Sequence, residues 1–176
     1  SLAPTFKDMN DTVEASIAAM RQFGIAADQL ESKLGAINAV AGSFAVEASD
    51  ISFAIRRTGG AFKAAGGSLE ELIALFTSVR STTRESAETI ATGFRTIFTR
   101  IQRPQTIAYL KELGVELQNT AGQFVGPMEA VKRLNAALAN IPTTDPRFSQ
   151  IVEQIGGYRQ VSKVIPLITK FNEAQK

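Results

Sequence analysis

Glu85, followed by Ser86, is the first candidate for chemistry, because sugar cleavage requires a carboxylic acid held protonated in a cleft. The next residues, Ala-Glu-Thr-Ile, do not form the Gly-x-Met-Gln type signature of helical lytic transglycosylases. Glu85 also falls at the predicted start of a helix, where the helix dipole favours an acidic side chain. We therefore predict that Glu85 has a structural role and not a catalytic one.

A group of polar side chains near the start of the chain is the candidate metal site. Asp8, Asn10 and Asp11 lie as close together as calcium ligands do. A calcium-binding loop of the EF-hand type needs Gly at its sixth position and Glu at its twelfth. Counted from Asp8, those positions hold Val13 and Ala19, so we interpret the group as the start of a helix.

Other catalytic and cofactor-binding arrangements are excluded by missing residue types or by spacing. The chain has no Cys and no His, which rules out Cys/His zinc sites, thiol nucleophiles and Ser-His-Asp triads. Its Gly-Gly pairs lack the spacing of phosphate-binding loops: Gly59-Gly60, Gly66-Gly67 and Gly156-Gly157. We predict no catalytic, cofactor-binding or metal-binding residue, and therefore no enzyme.

Basic side chains are concentrated in the middle of the sequence. Residues 51–103 carry 8 basic and 4 acidic side chains, net +4, whereas residues 1–50 carry 3 and 7, net −4. The basic set can form a solvated helix face, contact a protein partner or contact nucleic-acid phosphates. No groove-reading motif accompanies it, so we predict no sequence-specific nucleic-acid site. The set consists of Arg80, Arg84, Arg95, Arg100 and Arg103.

The composition and the apolar spacing predict an all-α protein. The 176 residues are 44% hydrophobic and 20% charged, which is typical of a globular domain. In the first helix, Val13, Ile17 and Met20 fall at helical spacing. We expect a compact bundle of about eight short helices. The predicted ranges are 5–22, 28–41, 50–65, 68–81, 85–101, 104–113, 127–139 and 145–157, with a last helix around 161–168.

Local signals mark several helix ends. Ser68 followed by Glu71 is a capping box, in which each side chain bonds the backbone amide of the other residue. Gly114 occupies the position just after a helix, which favours glycine. Gly59-Gly60 is expected to weaken or kink the third helix. The fifth helix has a one-sided apolar stripe, formed by Ile90, Phe94, Ile97, Phe98 and Ile101.

The one strand signal lies near 115–125. Two short runs of alternating polarity flank a turn that contains Gly122, which predicts a small β-hairpin. We divide the chain into an N-terminal helical subdomain, 1–103, and a C-terminal helical subdomain with the hairpin, 104–176. Because the chain begins with Ser1 and not Met, we expect one continuous fragment of a longer protein.

The order of several short motifs resembles the core region of phage tail tape measure proteins. Each motif alone is ordinary alanine-rich helix, but their succession across most of the chain is fairly specific. The motifs are Ala64-Ala65-Gly66, Ser68-Leu69-Glu70-Glu71-Leu72, Val79-Arg80-Ser81-Thr82-Thr83, Ala91, Arg95-Thr96-Ile97-Phe98, Arg100 and Leu113-Gly114-Val115.

This resemblance implies a structural protein of the virion, located in the lumen or at the tip of the phage tail, and in the host cytoplasm during assembly. Such proteins set tail length, support tail assembly and take part in genome ejection. The implied partners are tail tube, tail tip and tail assembly proteins, other copies of the chain in low number, and the host envelope during ejection. The alternative is a helical protein–protein interaction module outside a virion.

Overall fold

Seven helices with both ends defined follow one another along the described part of the chain. The computed structural model describes residues 6–29, 32, 33, 35, 46–82 and 85–156. The helices are α1 (Phe6–Phe23), α2 (Ala48–Ala64), α3 (Leu69–Thr82), α4 (Ala87–Arg100), α5 (Pro104–Glu112), α6 (Pro127–Ala139) and α7 (Pro146–Gly156). Residues 27–29, 32, 33 and 35 are also helical. The all-α prediction is confirmed.

Two predicted helices fall wholly or partly outside these residues. The helix expected at 28–41 is described only at 28, 29, 32, 33 and 35, and the one around 161–168 lies outside the described residues. The other predicted ranges agree with the structure to within a few residues at each end. The division into subdomains at residue 103 stays a prediction.

The core forms where α2 packs between α1 on one side and α3 and α4 on the other. Its centre is aromatic: Phe62 of α2 meets Phe98 of α4 edge-to-face, with ring centroids 4.9 Å apart, and Phe94 adds a second edge-to-face contact to Phe98 at 5.8 Å. The predicted stripe of α4 is confirmed, because Ile90, Phe94, Ile97, Phe98 and Ile101 are all buried.

A buried hydroxyl ties α2 to α4. Thr58 is completely buried, and its hydroxyl donates a hydrogen bond of 2.7 Å to the backbone carbonyl of Ala91. This bond satisfies a polar group that would otherwise be buried without a partner, at a cost of about 1–3 kcal/mol. The hydrogen bond therefore fixes how α2 and α4 lie along one another.

The helix ends follow the predicted chemistry. The backbone amide of Glu71 donates to the Ser68 hydroxyl at 3.2 Å, and the amide of Ser68 donates to the Glu71 carboxylate at 3.0 Å, which confirms the capping box. At the end of α5, Gly114 has φ of +92°, and the amide of Val115 donates to the carbonyl of Leu110 at 2.8 Å. This is the expected glycine C-cap.

The Gly59-Gly60 pair does not end α2, which runs as one helix from Ala48 to Ala64. A Cβ atom on Gly59 would lie 3.0 Å from Cβ of Gln22 and 3.1 Å from the Phe23 ring. The missing side chain therefore lets α1 approach the backbone of α2 closely. The weakening of helix propensity is offset by this contact, which sequence spacing alone does not reveal.

The predicted β-hairpin near 115–125 is wrong, since the residues described between α5 and α6 contain no strand. One antiparallel bridge joins Gln118 to Phe124. Between them, the carboxamide oxygen of Asn119 accepts hydrogen bonds from the amides of Ala121 and Gln123, both at 3.0 Å. These bonds satisfy amides that a longer ladder would otherwise use, and the helices on either side leave too few residues to extend the pairing. The segment is a tight loop.

Candidate interaction surfaces

A groove lined by cationic side chains runs along the outer face of α4. Its volume is about 340 Å³, and the described residues that line it are all Arg or Thr. On α4 these residues recur every three or four positions, so they share one face of the helix, opposite the apolar stripe. We call this surface the arginine groove, and its residues are Arg57, Thr92, Arg95, Thr96, Thr99, Arg100 and Arg103.

Three elements position the guanidinium groups of the arginine groove. Arg57 comes from α2 and lies over the Phe53 ring, with 5.3 Å between its guanidinium carbon and the ring centroid. Arg100, at the end of α4, donates to the backbone carbonyl of Glu153 in α7 at 3.3 Å. Arg103 is the residue that precedes α5. Arg95 and Arg103 are exposed, and within the described residues no carboxylate forms an ion pair with either.

The arginines that we grouped from the sequence do not all lie on one surface of the structure. Arg95, Arg100 and Arg103 all line the groove. Arg80 lies elsewhere, on α3, with its Nε 3.5 Å from a carboxylate oxygen of Asp50. That separation fits an ion pair, although Nε has no aligned hydrogen-bond acceptor among the described atoms. Arg84 lies outside the described residues.

The basic set named from the sequence did not include Arg57 or the three threonines of the groove. The threonines could have been found from their spacing of three or four residues relative to Arg95 and Arg100. Arg57 could not, because only the packing of α2 on α4 brings it to the same surface.

A second surface is the outward face of α1. Val13, Ile17 and Met20 have the spacing of a buried stripe, yet their exposed fractions are 55%, 46% and 37%. Among the described residues of α1, the face that packs inward instead consists of Ser16, Ala18, Ala19 and Phe23. We call Val13, Ile17 and Met20 the α1 outer stripe. An apolar stripe on an exposed helix face is a candidate contact for another protein surface.

The candidate catalytic residue and the candidate metal-binding residues lie at different helical elements. Glu85 precedes α4, and the N-cap of that helix is Ser86, whose hydroxyl accepts from the amide of Thr89 at 3.1 Å. Asp8, Asn10 and Asp11 lie within α1. This agrees with the prediction that they belong to the start of a helix and not to a calcium-binding loop. Within the described residues, no three acidic, His or Cys side chains come together as metal ligands would.

One ion pair outside these surfaces shifts the titration of its members. The Arg147 guanidinium donates to the carboxylate of Asp145 at 2.8 Å, and the amide of Arg147 donates to the same carboxylate at 2.9 Å. These bonds stabilise the charged form, so they lower the pKa of Asp145, and the pair raises the pKa of Arg147. The carboxylate sits at the N-terminus of α7, where it acts as a cap.

Residues 1–157 match the family described as phage-related minor tail protein. The chain belongs to this family. The match includes α1 to α7 and therefore both surfaces described above. No solved structure matches this chain.

Membership of the minor tail protein family makes this chain a structural component of a phage tail, and so a virion protein. The sequence prediction of a phage tail protein is therefore confirmed. None of the helices in the described ranges has both the length and the apolar composition needed to cross a lipid bilayer.

Proposed function

We propose that this minor tail protein is part of a tape measure protein, which sets tail length, supports tail assembly and takes part in genome ejection. The family match over residues 1–157 is the observation that carries the proposal of a tail protein. The succession of motifs from Ala64 to Val115 supports the assignment to a tape measure protein. An α-helix rises about 1.5 Å per residue, so an extended helical chain can encode a length.

Within such a protein, this region serves docking and assembly and is not the ruler itself. Its helices fold back on one another around a shared core, so their combined length does not measure a distance. We place it in the tail lumen or at the tail tip, with tail tube, tail tip and assembly proteins as partners. The host envelope is a further partner during ejection, and the region has no enzymatic activity.

The direct test is an in-frame deletion of the codons for residues 1–156 from the phage gene that encodes this chain. We expect full-length tails to disappear, or to lose their uniform length, because the region is needed to assemble the tube around the tape measure protein. Electron micrographs of lysates measure tail number and length. The control supplies the intact gene from a plasmid, which restores tails. Normal numbers of tails of normal length after deletion would refute the proposal.

The α1 outer stripe is the proposed contact between copies of the chain. Burying a large apolar side chain contributes about 1.5–3 kcal/mol, so the double variant Ile17→Ser/Met20→Ser is expected to weaken self-association at least about tenfold. Sedimentation equilibrium of the 176-residue chain gives the association constant. Lys132→Ser, which changes an exposed residue of α6, is the control and should leave association unchanged.

The fold of the stripe variants is checked by circular dichroism, since both residues lie outside the buried core and their replacement should not unfold the chain. A wild-type chain that stays monomeric at all concentrations, or a folded double variant that associates as strongly as wild type, would refute this contact.

A further inference from the structure

The arginine groove has a composition that the structural role in the tail does not explain. Arg57, Arg95, Arg100 and Arg103 bring four positive charges to one surface, and none of the described residues that line it is acidic. Like charges held together on a surface repel one another, so the arrangement favours an anionic ligand that neutralises them. The guanidinium group matches phosphate geometry, because its planar fork can donate two parallel hydrogen bonds to two phosphate oxygens.

Among the described residues that line the groove none has an apolar side chain, which argues against a protein partner. Protein–protein interfaces have an apolar core surrounded by a polar rim. Every described residue that lines this groove is an arginine or a threonine. Protein–DNA interfaces are more polar and more positively charged, and Ser/Thr hydroxyls donate to phosphate oxygens in them. An acidic protein helix would find charge here but no surface on which to bury its own apolar face.

The residue types that line the groove also indicate whether it would bind duplex or single-stranded nucleic acid. Proteins that bind single strands without sequence preference combine basic grooves with aromatic side chains on which bases stack. The ring of Phe53 lies under the Arg57 guanidinium, and no aromatic residue is among the described residues that line the groove. Phosphate contacts without base stacking or base-edge contacts are typical of sequence-independent binding to a duplex.

The length of the groove fits a short run of one DNA strand. Thr92 and Arg100 are eight residues apart on α4, which corresponds to about 12 Å of helix. One strand of duplex DNA carries a phosphate about every 3.4 Å along the axis, so this length spans about three to four phosphates. Within this length α4 carries Arg95 and Arg100, and Arg57 and Arg103 add two more arginines at its borders.

We propose that the arginine groove binds the phosphate backbone of duplex DNA without reading its sequence. The inference stands on the groove alone and does not require the tape measure role. Arg95 and Arg103 carry it most directly, since both are exposed and no described carboxylate pairs with them. Binding is purely non-covalent, through charge-assisted hydrogen bonds and release of counterions from DNA.

The test measures binding of the 176-residue chain to two unrelated 30-base-pair duplexes by fluorescence anisotropy over a range of salt concentrations. If about four phosphates are neutralised, the logarithm of the binding constant should fall with the logarithm of salt concentration with a slope of about −3.6. The two duplexes should bind equally. In Arg95→Gln/Arg103→Gln, the slope should become shallower by about 2 and binding at low salt should weaken at least about tenfold.

The matched control is Arg21→Gln/Lys132→Gln, which removes the same charge from two exposed positions outside the groove. It should keep the wild-type slope. Equal losses in the two double variants would show a general charge effect and overturn the proposal, as would undetectable duplex binding at low salt. Tighter binding to a 30-nucleotide single strand, or to phosphatidylglycerol vesicles, would also overturn it, because either result would assign the groove to another ligand.

Discussion

Gly67→Ala is expected to lower the free energy of unfolding by about 3 kcal/mol, the upper part of the range for overpacking a core. A Cβ atom at position 67 would lie 2.2 Å from the Phe62 ring and 2.8 Å from Cγ of Pro127. Neither neighbour can retreat easily, because Phe62 is completely buried against Phe98 and Pro127 starts α6. Urea denaturation followed by circular dichroism measures the loss.

Gly66→Ala is the matched control, because it tests backbone strain without the clash. Gly66 has φ of +94°, and a Cβ atom there would meet nothing within 4 Å. The left-handed conformation costs a non-glycine residue about 1–2 kcal/mol, so this variant should lose less than Gly67→Ala. If the clash with Phe62 is the cause, Gly67→Ala should cost less in a Phe62→Leu background. An unchanged cost there would contradict the explanation.

Phe98→Ala is the second large effect, with an expected loss of about 3–5 kcal/mol in the free energy of unfolding. Phe98 is only 1% exposed and joins Phe62 and Phe94 by edge-to-face contacts. Its truncation would leave a cavity where α2 meets α4. Thermal and urea unfolding of the variant, at the same protein concentration as wild type, give the change.

Two further variants separate the contributions of Phe98. Phe98→Leu keeps most of the volume but removes the ring contacts, and should cost about 1.5 kcal/mol or less. Phe148→Ala truncates a half-buried ring at the edge of the core and should cost less than Phe98→Ala. Similar losses for Phe98→Ala and Phe148→Ala would mean that the core is not centred on the aromatic cluster.

Much of the fold could be predicted from local signals, because local chemistry decides where these helices begin and end. Ser68 and Glu71 bond each other's amides as a capping box must, and Gly114 adopts the positive φ that its position after α5 requires. Contacts between helices could not be predicted from local signals. The role of Gly59 depends on Gln22 and Phe23 of another helix, which no local spacing encodes.

The loop between α5 and α6 shows why alternating polarity alone does not predict a β-strand. Val115 and Leu117 are buried and the residues between and after them are more exposed, as in a strand, but Asn119 closes a turn before a ladder forms. For the candidate surfaces, the sequence identified three arginines of the groove and the spacing of the α1 outer stripe. It did not show that Arg57 joins the groove or that the stripe faces solvent, because both depend on packing.

The inner face of α1 has a consequence for motion. Of the buried α1 side chains that the structure describes, only Phe23 is large and apolar, and the others are Ser16, Ala18 and Ala19. The free energy of local opening depends on how much apolar surface it exposes, so α1 should detach from α2 at a smaller cost than global unfolding requires. A partner that binds the opposite face of α1 would therefore oppose this local opening.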